Sequence, residues 1–198
     1  MEVTFQEQKW EIENTSIGVE ELFTRITALQ NERSLHISHI IIDEQILYND
    51  YREYVEERLQ SIEQIQIEAV TLQQYVEQLL VTSHEYCSRA IELLPALSAQ
   101  YYQAPNQDSW SQFESLLGGL EWLTQVASLI EEHNIQYSNL STYLEIHASL
   151  RQVLSEMLQS VERKENAAIG DLLHYEILPL LEKLEQELNT SLSEEGVK

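Results

Sequence analysis

The sequence predicts an α+β protein, with a strand-rich head over residues 1–71 followed by an antiparallel bundle of about four helices over residues 72–198. Two observations carry this. Up to Thr71 the apolar residues come mainly in short alternating runs of strand type; beyond it they recur every three or four positions for well over a hundred residues. The composition, 43% hydrophobic and 23% charged, belongs to a folded chain long enough for one medium domain or two small ones.

In the head, Val3 and Phe5, then Trp10 and Ile12, alternate with polar residues on either side of Gln6-Glu7-Gln8-Lys9, the pattern of a hairpin with one buried face. Asn14-Thr15-Ser16 supplies helix-capping residues, and Val19, Leu22, Phe23, Ile26 and Leu29 follow at helical spacing. The β-branched run His36–Ile42 predicts a strand that turns at Asp43-Glu44-Gln45 and returns through Ile46-Leu47-Tyr48. Tyr51, Tyr54, Val55 and Leu59 predict a short helix capped by Asn49 or Asp50, and Ile65–Val70 closes the head with strict alternation. This order, two strands, helix, two strands, short helix, strand, resembles the β-grasp, or ubiquitin-like, fold. Ubiquitin-like modifiers end in a free Gly-Gly tail. Here Val70-Thr71 runs into a helix, so the resemblance implies a docking role rather than a modifier.

The tail begins with a helix whose stripe is Leu72, Tyr75, Val76, Leu79, Leu80, Tyr86, Ala90, Ile91 and Leu94, with Pro95 expected to kink or stop it. Ala104–Asp108 reads as a loop, and Asp108 or Ser109 as the cap of a second helix carrying Trp110 through Ile130. Gly118-Gly119 within that helix costs about 1 kcal/mol per glycine against alanine, which a close helix approach or a partner groove would offset. After a break around Asn134–Ser138, a third helix holds Leu140, Tyr143, Leu144, His147, Leu150, Leu154, Met157 and Val161. The boundary with the fourth falls either at 162–166 or nearer Gly170, and the last helix carries Ile169, Leu172, Leu173, Ile177, Leu180, Leu181, Leu184 and Leu188 before fraying over Ser193–Gly196. Short connections favour antiparallel neighbours. The stretch Asp171-Leu-Leu-His-Tyr-Glu-Ile-Leu-Pro-Leu-Leu181 resembles an uncharacterised, mainly helical family of Gram-positive Firmicutes with a similar strand-rich start. That resemblance implies a bacterial cytosolic setting and carries over no activity or catalytic residue.

A net charge of −23 disfavours nucleic acid and anionic membranes, because residues 1–71 carry 15 Asp/Glu to five Lys/Arg and residues 72–198 carry 19 to six, leaving no basic face. Basic partner proteins, or solubility alone, suit it better. No basic, apolar leader opens the sequence and no run reaches membrane-spanning length, so a cytoplasmic protein is expected, without membrane insertion. The single Cys87 rules out an internal disulfide and thiolate zinc clusters, and reads as a buried, inert thiol.

Candidates for chemistry are few. Asp171 and His174 stand three apart with Glu176 nearby, but His147 and His84 lack the matching carboxylate three residues earlier that a bundle metal site would use, so neither metal nor cofactor is expected. Glu176, beside Leu172, Leu173 and Leu180, reads as a buried carboxylate clamped between helices, with Trp122, Tyr143 or Tyr175 as donors. His36 and His39, three apart on a strand, point to opposite faces unless a bulge intervenes. Phosphate-loop, dinucleotide and nucleophile-elbow motifs are absent. The expected function is therefore non-catalytic: an adaptor that binds a protein partner or itself, possible versions including a chaperone for an amphipathic helix. Its candidate surface is Tyr101, Tyr102, Trp110, Gly118, Gly119 and Trp122. The alternative is a small-molecule- or metal-binding helical-bundle enzyme using Glu176, His174 and neighbouring aromatics.

Overall fold

A computed structural model describes residues 1–133, 135 and 137–194. Asn134 and Gln136 of the expected break, and Glu195 and Gly196 of the expected frayed end, lie outside the described residues. The chain is α+β, as the sequence predicts, and its internal contacts divide it into a head, Met1–Tyr75, and a helical unit from Val76 onward.

In the head, β1 (Glu2–Phe5) and β2 (Gln8–Glu11) form a hairpin, α1 (Ser16–Arg33) follows, then β3 (Leu35–Ile42), β4 (Gln45–Leu47), α2 (Tyr51–Arg58) and β5 (Gln64–Thr71). The sheet order is β2-β1-β5-β3-β4, with β1 and β5 parallel and the other pairs antiparallel. Alternation places Val3, Phe5, Ile40, Ile42, Ile65 and Ile67 in one buried core with Val19, Leu22, Ile26 and Leu29 of α1. Thr15 caps α1, its hydroxyl accepting from the Gly18 amide at 3.1 Å. Asp43 and Glu44 both turn through positive φ, as a tight hairpin requires, and the Asp43 carboxylate accepts from the Glu63 and Gln64 amides.

Among the described residues the four helical rods are α3 (Leu72–Tyr101), α4 (Gln107–Glu132), α5 (Leu140–Glu162) and a last rod made of α6 (Asn166–Asp171), a π-helical turn (Leu172–Ile177) and α7 (Leu178–Glu194). Neighbours run in opposite directions. Tyr86 meets Leu116 while Gln100 meets Ser109; Ser88 meets Glu185 while Tyr102 meets Asp171; Asn139, at the start of α5, meets Glu187 and Ser191 near the end of α7.

Several expectations are corrected. Of the kink or stop expected at Pro95, the stop does not occur: helix α3 runs through Pro95, which lies exposed. The cap of α4 is Asn106, not Asp108 or Ser109: its side chain accepts from the Ser109 amide at 2.9 Å while Ser109 Oγ accepts from the Asn106 amide at 3.1 Å. The third and fourth rods separate at 162–166, where Lys164 takes positive φ; Gly170 lies inside the last rod. The irregularity between Ile37 and His39 puts His36 opposite Val70 and His39 opposite Glu68, so both histidines share one sheet face. They do not converge. His36 stacks on Tyr75 and His39 tilts against Tyr48.

Candidate functional site

Between α3 and α4 lies an open groove of about 540 Å³. Ala90, Leu94 and Leu97 of α3 and Leu116 of α4, all buried, form its floor. Leu93, one position off the α3 core stripe, stays 65% exposed over the opening. From Tyr86 to Leu97 the groove follows eleven helical steps, about 17 Å.

Its polar side chains are largely occupied within the protein. Tyr86 OH donates to the Leu116 carbonyl at 3.1 Å, Ser115 Oγ to the Ser111 carbonyl at 2.9 Å, and Gln112 Nε2 to Asp108 Oδ2 at 2.7 Å. What faces outward is therefore mostly methyl groups and ring surface. Among the described residues Arg89 is the only charged one lining the groove, and it forms no ion pair with any of them although Glu85 and Glu92 flank it on the same helix. The groove's other titratable group is the Tyr86 phenol, which burial pushes up to about 12. Such a lining is chemically suited to apolar surface, and among the described residues that form it no nucleophile stands beside a base.

The interior of the helical unit carries a second cluster of polar groups. His147 is 3% exposed, its ring lies 4.8 Å from that of Tyr143, and neither its two nitrogens nor the Tyr143 hydroxyl nor Ser83 Oγ has a hydrogen-bond partner among the described residues. Burial holds the His147 imidazole down to about 4 and raises the Tyr143 phenol. Cys87 is fully buried, and burial first, then the Glu185 carboxylate, pushes its thiol up to about 12. A thiol in that state is no nucleophile at neutral pH.

The residues singled out from sequence are dispersed. Tyr101 is 1% exposed and packs with Trp110 and Phe113 at ring separations of 5.3 and 5.5 Å, so it belongs to the core. Tyr102 is half exposed and donates to Asp171 Oδ1 at 2.6 Å, a bond that pushes its phenol up to about 12. Trp110 and Trp122 are half-buried. Gly118 and Gly119 differ: a Cβ on Gly118 would meet nothing within 4 Å, whereas one on Gly119 would fall 2.2 Å from the Tyr86 ring. Only Gly119 marks a close helix approach.

The expected clamp of Glu176, Tyr143 and Tyr175 does not form. Tyr143 is buried, but Glu176 is exposed and Tyr175 is 65% exposed. The cause is the π-helical turn, in which the Leu178 amide donates to the Leu173 carbonyl five residues back. The extra residue turns Glu176 outward and leaves Leu173 and Ile177 inward. His174 lies edge-on to Tyr175 at 4.7 Å, and among the described residues no three of His, Cys, Asp and Glu gather in a way that would hold a metal ion. No helix among them is long and apolar enough to cross a membrane.

Sequence reasoning missed Arg89, Leu93, Leu97, Ser111, Gln112 and Ser115. A signal existed for one of them: Leu93 widens the apolar stripe of α3 beyond what one core face needs, whereas Leu97 falls within that stripe.

Fold and groove together define a helical-bundle unit with an apolar cleft, preceded in the sequence by a strand-rich head. The chain belongs to the family described as a domain of unknown function (DUF8042), whose model matches residues 78–187, from within α3 to within α7. No curated protein and no solved structure matches it.

Proposed function

We propose that this chain is a non-catalytic protein–protein interaction protein of the bacterial cytoplasm, in keeping with the Firmicutes resemblance, and that it holds an apolar helical segment of a partner in the α3/α4 groove. The observation that carries the reading is Leu93, a large apolar side chain left in solvent above a floor of buried leucines. An amphipathic helix laid along about 17 Å would place two to three turns of its apolar face there, the way helix-in-groove recognition works. The thiol and imidazole states support the non-catalytic reading, since Cys87 is protonated and His147 neutral and sealed at pH 7. For the head, the sheet order and the parallel β1/β5 pair support the β-grasp reading, and the passage from Thr71 directly into α3 favours docking over a modifier role.

The test is to titrate isotope-labelled chain with an amphipathic helical peptide and map the backbone shifts. Changes centred on residues 86–97 and 111–116 support the reading. Changes confined elsewhere, or none, refute it. A second reading, a small apolar ligand, draws on the volume, which lies within the range of small-molecule sites; saturation of the same shifts by a long-chain alcohol without any by the peptide would favour it.

A further inference from the structure

Resting on the groove assigned above, the charges at its rim point to the kind of helix it takes. On α3, Glu85 and Glu92 are exposed and lie beside the lining residues Tyr86, Arg89 and Leu93, one turn above and one turn below Arg89. On α4, Asp108 is exposed one turn before Gln112, which holds its carboxylate against the groove's edge. Glu85 and Glu92 are exposed and have no partner among the described residues, so their carboxylates face solvent with full acceptor capacity. Three carboxylates thus rim the opening against one guanidinium, on a chain of net charge −23.

We propose that the groove's partner is a basic amphipathic helix of another protein: leucine-type side chains enter between α3 and α4 around Leu93, and lysines or arginines on both flanks meet Glu85 and Glu92 on one side and Asp108 on the other. An acidic helix of the same apolar face meets repulsion at all three positions, so the rim selects by charge while the floor supplies the apolar contact. Arg89 opposes a cation placed directly over it. It sets which stretch of the partner must be free of Lys and Arg.

The experiment uses the full chain and two labelled 18-residue peptides with identical leucines at helical spacing, one with lysines and one with glutamates at the flanking positions, read by fluorescence anisotropy at low and high salt. The lysine peptide should bind at least tenfold more tightly at low salt, and the preference should shrink as salt rises. Leu93→Ser should abolish binding, Glu85→Lys/Glu92→Lys should weaken it about tenfold, and Arg89→Gln should strengthen it. A control of equal charge change at the far end of α4, Glu131→Lys/Glu132→Lys, fifteen or more residues beyond Leu116 and so about 22 Å along the helix, should leave it within about twofold, the screening expected at distance. Equal binding of both peptides, still lost in Leu93→Ser, overturns the charge assignment and leaves the groove reading in place. No binding of either peptide, or binding indifferent to Leu93→Ser, overturns both. If the control at the end of α4 weakens binding as much as the rim variant, net charge and not the rim is responsible and the proposal falls. Competition of laurate alone for the groove, or concentration-dependent dimerisation blocked by Leu93→Ser, would assign the groove to a small amphiphile or to a second copy instead.

Discussion

Replacing each glycine of the Gly118-Gly119 pair by alanine should shift stability in opposite directions. In an exposed helix interior, glycine to alanine gains about 1 kcal/mol from reduced backbone freedom in the unfolded chain, and that gain applies to both. At Gly118 nothing lies within 4 Å of the new methyl, so the full gain should appear, about 2–4 °C in melting temperature for a chain of this size. At Gly119 the methyl would sit 2.2 Å from Cε2, Cζ and OH of Tyr86, whose hydroxyl is tied to the Leu116 carbonyl at 3.1 Å. Displacing the ring forfeits that hydrogen bond, about 1 kcal/mol. It also disrupts packing against α4 by about 1–3 kcal/mol. After the helix gain is subtracted, Gly119→Ala should be less stable than the parent by about 1–3 kcal/mol. Urea unfolding followed by helical circular dichroism reads both variants, and the fluorescence of Trp110 and Trp122 reports α4 itself. In a Tyr86→Ala background the clash is gone, and Gly119→Ala should then gain stability as Gly118→Ala does. A Gly119→Ala variant as stable as Gly118→Ala in the parent would refute the close approach.

Three further outcomes follow from the same geometry. His147 has a folded-state pKa lowered to about 4 from 6.5, so the unfolded chain takes its proton first: stability should fall as pH drops through 6.5, reaching a loss of about 3 kcal/mol near pH 4, and in His147→Leu that portion should vanish when urea midpoints at pH 7 and pH 4 are compared. Asn14→Ala removes the Nδ2 donor that reaches the Leu59 and Ile62 carbonyls, both at 2.8 Å, and should destabilise the head by about 2 kcal/mol, read by Trp10 fluorescence in urea; no change would mean these bonds contribute nothing net. Deleting Tyr175 should leave the bundle folded with a modest change in melting temperature, under about 4 °C, whereas deleting Glu182, between Leu181 and Leu184, should unfold it, because only the first deletion falls in the π-helical turn.

The head was legible because its period-two runs are short, β-branched and separated by polar turns, and each fell on a strand. What the alternation did not reveal was the irregularity at Ile37/His39. A bulge inserts one residue without altering composition, so nothing local in His36-Ile37-Ser38-His39 announces that both imidazoles will share a face. The Asn106 cap was missed for a different reason: Asn106, Asp108 and Ser109 are all good capping residues, and only the reciprocal bond with Ser109 decides among them. In the last rod the buried large apolar side chains are Ile169, Leu173, Ile177, Leu181, Leu184 and Leu188, so the first three steps are all fours. Twelve residues of straight α-helix would leave Ile169 and Leu181 about 120° apart, and one inserted residue accounts for most of that angle. That run of fours was the available signal for the π-helical turn. Reading Leu172 and Leu180 into a regular stripe instead is what brought Glu176 inward on paper.

The groove could not be read from periodicity because it arises from a mismatch between helices rather than from a motif on one. Near one end α3 and α4 are drawn together where Tyr86 covers Gly119; near the other, Trp110 packs edge-on to both Tyr101 and Phe113, the latter at 5.8 Å and 90°. Three aromatic rings need more width than the small side chains between these points. There, Ala90 and the serines at 111 and 115 do not reach across, and Ser115 turns its hydroxyl back onto its own helix. Leu93 then lacks a partner on α4 long enough to cover it. Filling the gap from within tests whether the opening is retained for binding: Ser115→Leu supplies that partner, should leave the fold intact with equal or higher stability, and should abolish capture of an amphipathic helix. If Ser115→Leu bound such a helix as the parent does, the floor of leucines would be mere core showing through, and the functional reading would lose its support.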